Sequence, residues 1–247
     1  MPTHPRYSAD VSPAAWLRPR LAGWGTVTSV VPAGYPAYAR VLHPVDDDVR
    51  WAEVAARTGR RVHPLVQWHR LVGAAESINA TDADGNSPRT GELEPVSLAA
   101  VLRVLRRHTG TPGECWFCLW EGWGWLPGSP SVALLGSREP VPAAFPPDVL
   151  DGPRVQLPGR DHLLFTGPLE SALAMGHWPR PDWFLPQSPQ LAWPADRAWC
   201  LGTEIDFDST LVAGDRALVD ELLATDALEV VEVRPGDSLS SGGDTVD

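Results

Sequence analysis

"RAWCLGTEIDFDSTLVAGD", Arg197 to Asp215, decides how the C-terminal part of the chain is built. Between Trp199 and Asp208 apolar and polar residues alternate. Trp199, Leu201, Thr203, Ile205 and Phe207 would point one way, and Cys200, Gly202, Glu204, Asp206 and Asp208 the other. That pattern predicts one long strand from Arg197 to about Asp208, followed by a helix that Asp215 caps over Leu218, Val219, Leu222 and Leu223. Like-facing residues on a strand lie about 6.5–7 Å apart. Glu204, Asp206 and Asp208 would therefore repel one another unless arginines, for which Arg197 and Arg216 are the nearest candidates, or a cation compensate them.

Working outward, "ECWFCLWEGWGW" (114–125) is apolar on both alternating faces from Cys115 to Trp120, the mark of a central strand covered on both sides. Leu98, Val101, Leu102 and Leu105 recur at helical spacing and predict a helix over 97–108, ended by Gly110 and Pro112. Further strands are expected at 26–31 ("TVTSVV"), 37–43 ("AYARVLH"), 161–166 ("DHLLFT") and 229–233 ("EVVEV"). A helix capped by Asp48 should run to Thr58 and stop at Gly59. A second starts at Pro64 and buries Leu65, Trp68 and Val72, and a short one covers 168–175. Residues 126–159 and 176–196 read as irregular Pro-, Gly- and Trp-rich loops.

Because helices and strands do not alternate regularly, the class expected is α+β: a single layered domain whose mixed or mostly antiparallel sheet has about six strands. It should span 25–234, with an N-terminal arm over 1–24 and a tail at 235–247 disordered by composition.

The 247 residues include 12 Trp, 26 Pro and no Lys, and the net charge is −11. An acidic, lysine-free chain is a poor partner for nucleic acid, since phosphate contacts demand a basic surface. No segment has the length of a membrane span or the pattern of a signal peptide, and three cysteines without such a signal point to free thiols in the cytoplasm.

Two constellations could carry chemistry. Glu204, Asp206 and Asp208 could hold Mg²⁺ or Ca²⁺ through hard oxygen ligands. Alternatively, with Glu121, Trp120 and Trp123, they could line an acidic groove with flat aromatic walls, suited to a small cationic ligand or a partner protein's arginine. Trp178, Trp183, Trp193 and Trp199 gather around the second loop, and many of the tryptophans must be core, since each buries up to about 250 Å². Cys115-Trp-Phe-Cys118 has the spacing of a redox or zinc motif, with His108 or His177 to complete a site. A strand would send the two thiols to opposite faces, so buried cysteines are the plainer reading. "DADGNS" (82–87) is explained by an Asp-Gly turn, because its glycine stands too early for a calcium loop.

Asp206-Phe-Asp208-Ser-Thr210-Leu-Val resembles the first motif of the haloacid-dehalogenase-like phosphatases. The resemblance implies Asp206 as nucleophile, Asp208 as general acid–base and a Mg²⁺ beside them: a divalent-metal-dependent hydrolase of phosphate esters. That family opens with the motif and adds a Lys and an acidic pair from later strands. Here only 37 residues follow Thr210, and no Lys exists. The acidic pair would have to come from Asp46, Asp47 or Asp48 through a permuted order. The acidic strand of chitinase-type glycosidases is also similar, but Thr210 stands where their proton donor belongs.

Over most of its length, from Pro32 to Val233, the chain resembles a family of actinobacterial proteins of unknown function. "HTGTP", "CWF", "LWEGWG" and "WPADRAWCLGTEIDFDSTLVAG" carry the resemblance. It implies a cytoplasmic globular protein and no particular activity.

Overall fold

A computed structural model describes residues 3–45, 49–128 and 141–246. Their strands are β1 (Arg6–Tyr7), β2 (Ala37–Leu42), β3 (Cys115–Trp120), β4 (Val155–Leu157), β5 (Arg160–Gly167), β6 (Gly176–Arg180), β7 (Trp183–Pro186), β8 (Leu191–Pro194), β9 (Cys200–Thr203), β10 (Ser209–Gly214) and β11 (Val230–Val233). The helices are α1 (Val27–Val30), α2 (Trp51–Thr58), α3 (Trp68–Val72), α4 (Pro95–Leu105), α5 (Pro147–Leu150) and α6 (Arg216–Leu223).

Nine strands form one sheet in the order β1-β5-β3-β8-β9-β10-β2-β11, with β4 added beside β5, and β6 and β7 form a separate hairpin. Every pairing is antiparallel. The α+β class holds, but the main sheet is larger than the six strands expected. The surplus comes from the two segments read as irregular loops, which supply β4 and β8, from the two-residue β1, and from the split of the acidic strand into β9 and β10.

That split is the main correction. Cys200–Thr203 pairs back on Thr210–Ala213, with Thr210 opposite Thr203 and Val212 opposite Leu201. Glu204 to Asp208 are therefore the turn of a hairpin. Ser209–Gly214 is buried throughout, so it carries no alternation of apolar and polar residues by which it could be read as a strand.

Both faces of the sheet are covered. On one, Leu98, Val101, Leu102 and Leu105 of α4 and Leu218, Val219 and Leu222 of α6 pack on Ala39, Val41, Phe117, Leu163, Leu201 and Val212. The cap of α4 is Glu94, whose carboxylate accepts from the Val96 and Ser97 amides, and Asp215 caps α6 by accepting from Leu218 N at 2.7 Å. On the other face, Ala14, Trp16 and Leu17 of the N-terminal arm meet Cys118, Leu191, Trp193 and Cys200. Beside them Val27, Val30 and Val31 meet Tyr38, Leu211, Ala213 and Leu239.

Residues 26–31 thus form a turn of helix rather than a strand, because their valines fill that layer. The segment from Pro235, whose composition predicted a disordered tail, lies along the same face with Leu239 buried. The N-terminus of α2 is satisfied by Glu229, whose carboxylate accepts from Trp51 N at 2.6 Å and Ala52 N at 2.8 Å; Asp48, expected there, lies outside the described residues. Helix α3 begins at Trp68 rather than Pro64, since the Pro64 and Val66 carbonyls accept from the Arg40 guanidinium instead of from a helix ladder. Among the described residues no helix is long and apolar enough to cross a membrane.

Candidate functional site

Glu204 to Asp208 form the tip of the β9–β10 hairpin. Two arginines, neither next to it in sequence, hold it. Arg160, at the start of β5, donates through Nε to Glu204 Oε1 at 2.8 Å and through Nη2 to Asp206 Oδ2 at 2.6 Å. Its guanidinium carbon lies 5.2 Å from the Trp120 ring centroid and 5.7 Å from that of Trp24. The cation is thus bracketed by two aromatic rings and two carboxylates, an arrangement that ring quadrupoles and opposite charges both favour. Gly122 makes room for it: a Cβ there would stand 2.1 Å from the Trp120 ring.

Asp208 turns away to Arg40, in the middle of β2 and 1 % exposed. Every arm of that guanidinium is occupied. Nε donates to Ser209 Oγ at 2.9 Å, Nη1 to the Val66 and Pro64 carbonyls at 2.8 and 3.2 Å, and Nη2 to Asp208 Oδ1 at 3.3 Å. Burial pushes the Asp208 carboxyl above its ordinary range, with Arg40 pulling the other way. The compensating arginines were thus not the sequence neighbours. Arg197 lies 5.1 Å from the Trp16 ring centroid, and Arg216 pairs with Glu232 and Asp220.

The residues expected to act together are brought together in part. Trp120 shares Arg160 with Glu204 and Asp206. Trp123 packs edge-on against Trp120 at 5.5 Å and donates its indole N–H to Gln190 Oε1. Glu121 stands apart, paired with Arg154 at 2.8 Å. Of the three carboxylates expected to hold Mg²⁺ or Ca²⁺, Glu204 and Asp206 meet at Arg160 while Asp208 goes to Arg40. Among the described residues no three His, Cys, Asp or Glu side chains gather around one point. Asp46 and Asp47, like Asp48, lie outside the described residues.

The cysteines are free and buried, with Cys115 on the α4 face and Cys118 and Cys200 on the other. Burial raises all three thiols, that of Cys115 to about 12. His108 bonds Glu221 at 2.7 Å, and His177 stacks on Trp125 at 4.4 Å. The 82–87 segment is the expected turn, with Asp82 Oδ1 accepting from the Asp84 and Asn86 amides.

Beside the hairpin tip opens a cleft of ≈ 570 Å³. Asp206 and Asp208 form its acidic side, Trp68, Ile78, Phe207 and Leu239 its apolar side, and Gln67 and His69 line it as well. Ile78 stands 78 % exposed. Burial, with Arg70 nearby, lowers the His69 pKa and so favours a neutral imidazole. Of these residues only the two aspartates were singled out from sequence. Trp68 and Ile78 read as ordinary helix and loop positions, and nothing local in "PGRDH" marks Arg160 as the cation of the hairpin. No family model, no curated protein and no solved structure matches the chain.

Proposed function

We propose that the protein is a non-enzymatic binding protein whose cleft beside the β9–β10 hairpin receives a cationic group, an amine or guanidinium carried on an apolar stem. One observation carries this reading. Three carboxylates on the hairpin tip meet two guanidiniums, and two of the three, Asp206 and Asp208, form one side of a cleft that also has an apolar wall. A cation over that wall would gain from both, as amphipathic side chains do when the stem is buried and the head is paired. The hairpin already holds one guanidinium in this manner, that of Arg160. The expected occupant of an acidic, tryptophan-lined surface is thus partly supplied by the chain itself, and a ligand would use the flank that Arg160 leaves open.

Titration calorimetry with agmatine, which carries a guanidinium and an amine on a short apolar chain, tests this. Saturable binding is expected to weaken about tenfold in Asp206→Asn, since one charge-assisted hydrogen bond is lost. Asp206 is 60 % exposed, so the variant should melt like the wild type. No saturable heat with agmatine, or equal affinity in Asp206→Asn, would refute the reading.

A further inference from the structure

With a lining separate from that of the acidic cleft, a second cavity of opposite character borders α3. It has a volume of ≈ 470 Å³ and is lined by Arg60, Arg61, His63 and Arg70. The first two leave α2 just beyond its left-handed Gly59 stop. Arg60 is folded back so that its guanidinium lies over Gly73, at the end of α3. All three arginines are exposed, and none pairs with a carboxylate among the described residues. Among the described residues the single acid facing them is Asp244, near the end of the C-terminal segment.

Asp244 is held as a ligand would be held. Its side chain is 4 % exposed. One oxygen accepts from the Gln67 amide at 3.2 Å, and the other accepts from the Val246 amide of its own segment at 3.2 Å and faces His63 Nε2 at 3.3 Å. His63 Nδ1 is buried without a partner. The hold of Asp244 on the rest of the fold is weak, because the Gln67 and His63 contacts are both long for charge-assisted bonds. The charges do not match either: among the described residues three guanidiniums face one carboxylate. Such a cavity is completed by an anion of higher charge whose several oxygens match guanidinium forks.

We propose that this cavity binds a phosphate-bearing small molecule, and that Asp244 is an internal occupant which the phosphate displaces. The volume suits a small ligand rather than a bare ion. Since its three arginines and His63 are not residues of the acidic cleft, the proposal does not rest on the function proposed there. It also gives the C-terminal segment a role, as a built-in competitor that sets the apparent affinity.

Titration calorimetry at fixed ionic strength, with inorganic pyrophosphate and orthophosphate as probes, tests the proposal on the full chain. Pyrophosphate should bind saturably and more tightly than orthophosphate. Asp244→Asn keeps an acceptor for the Gln67 amide but removes the competing charge, and should bind pyrophosphate about tenfold more tightly. Arg61→Gln and Arg70→Gln, both at exposed positions, should each weaken binding by about tenfold with unchanged melting temperature. Asp206→Asn should leave it unaltered. The proposal is overturned if neither the wild type nor Asp244→Asn binds pyrophosphate, or if both arginine variants bind it as well as the wild type does. Should Asp244→Asn fail to fold, the two arginine variants decide alone.

Discussion

His43 lies 1 % exposed between the Arg89 carbonyl, 2.7 Å from Nδ1, and the Thr210 hydroxyl, 2.9 Å from Nε2. A carbonyl can only accept, so Nδ1 carries the proton and Nε2 accepts from Thr210. Thr210 in turn accepts from Thr203 at 2.8 Å. The imidazole is neutral, and burial pushes its pKa down to about 4, as it does for His162 on β5. The folded values lie below the ordinary 6.5, so the unfolded chain binds the extra protons. The stability these residues contribute is complete above about pH 6.5 and is lost as pH falls toward 4, by roughly 3 kcal/mol per histidine. Asp208 and Glu229, whose carboxyls burial raises, act in the opposite sense. Urea denaturation of the wild type and His43→Gln at about pH 7 and about pH 4.5 separates the two effects. The variant should lose less stability on acidification than the wild type, and an equal loss would show that His43 does not titrate as described.

At the scale of elements, the β9–β10 hairpin owes its position to a loop far from it in sequence. Gly91 N donates to Phe207 O at 2.9 Å, and Gly91 has φ +78° with the Ile205 carbonyl 2.6 Å from where a Cβ would stand. Gly91→Ala combines backbone strain with a clash against main chain, and should cost at least about 2 kcal/mol. Gly85→Ala shares the positive φ but meets nothing within 4 Å, so it should cost about 1 kcal/mol or less. Equal midpoints of the two variants in denaturant would contradict this anchoring. The same hairpin marks the limit of what is legible in the chain. Helices α4 and α6 could be read because their apolar spacing is set by the face each one buries, and strand β3 because six consecutive apolar residues mark a strand covered on both sides. The 199–208 stretch alternates just as cleanly, yet Ile205 and Phe207 are half-buried residues of a turn. The true strand, Ser209–Gly214, is covered on both faces and so does not alternate, and Ser209, Thr210 and Gly214 deny it the continuous apolar run that marks β3. Likewise "TVTSVV" is rich in β-branched residues, and tertiary burial of its valines overrides that propensity. Of the candidate site, the acids were legible from charge alone. Arg40 and Arg160 were not, since their pairing with the hairpin is decided by strand order.

At the scale of the whole molecule, the chain's two terminal segments lie on the sheet face opposite α4 and α6. The N-terminal arm is a layer of the structure: Leu17 is fully buried, and Trp16 meets Trp193 edge-on at 6.1 Å. Leu17→Ala should lower stability by about 2–5 kcal/mol, as truncation of a packed leucine does. A melting temperature unchanged from wild type would mean that the arm contributes no packing. The sheet order also has a consequence for biosynthesis. Strand β2 sits between β10 and β11, so residues 37–42 emerge from the ribosome long before residues 209–233 exist to pair with them. At about 5–20 residues per second that wait lasts on the order of ten seconds or more. During it, "AYARVL" is an unpaired, β-prone, apolar segment of the kind that joins other nascent chains. Arg40 interrupts it with a charge, and a charge within such a segment opposes that association. The same guanidinium that makes four hydrogen bonds in the finished sheet is, in the unfinished chain, a charge in the middle of that segment.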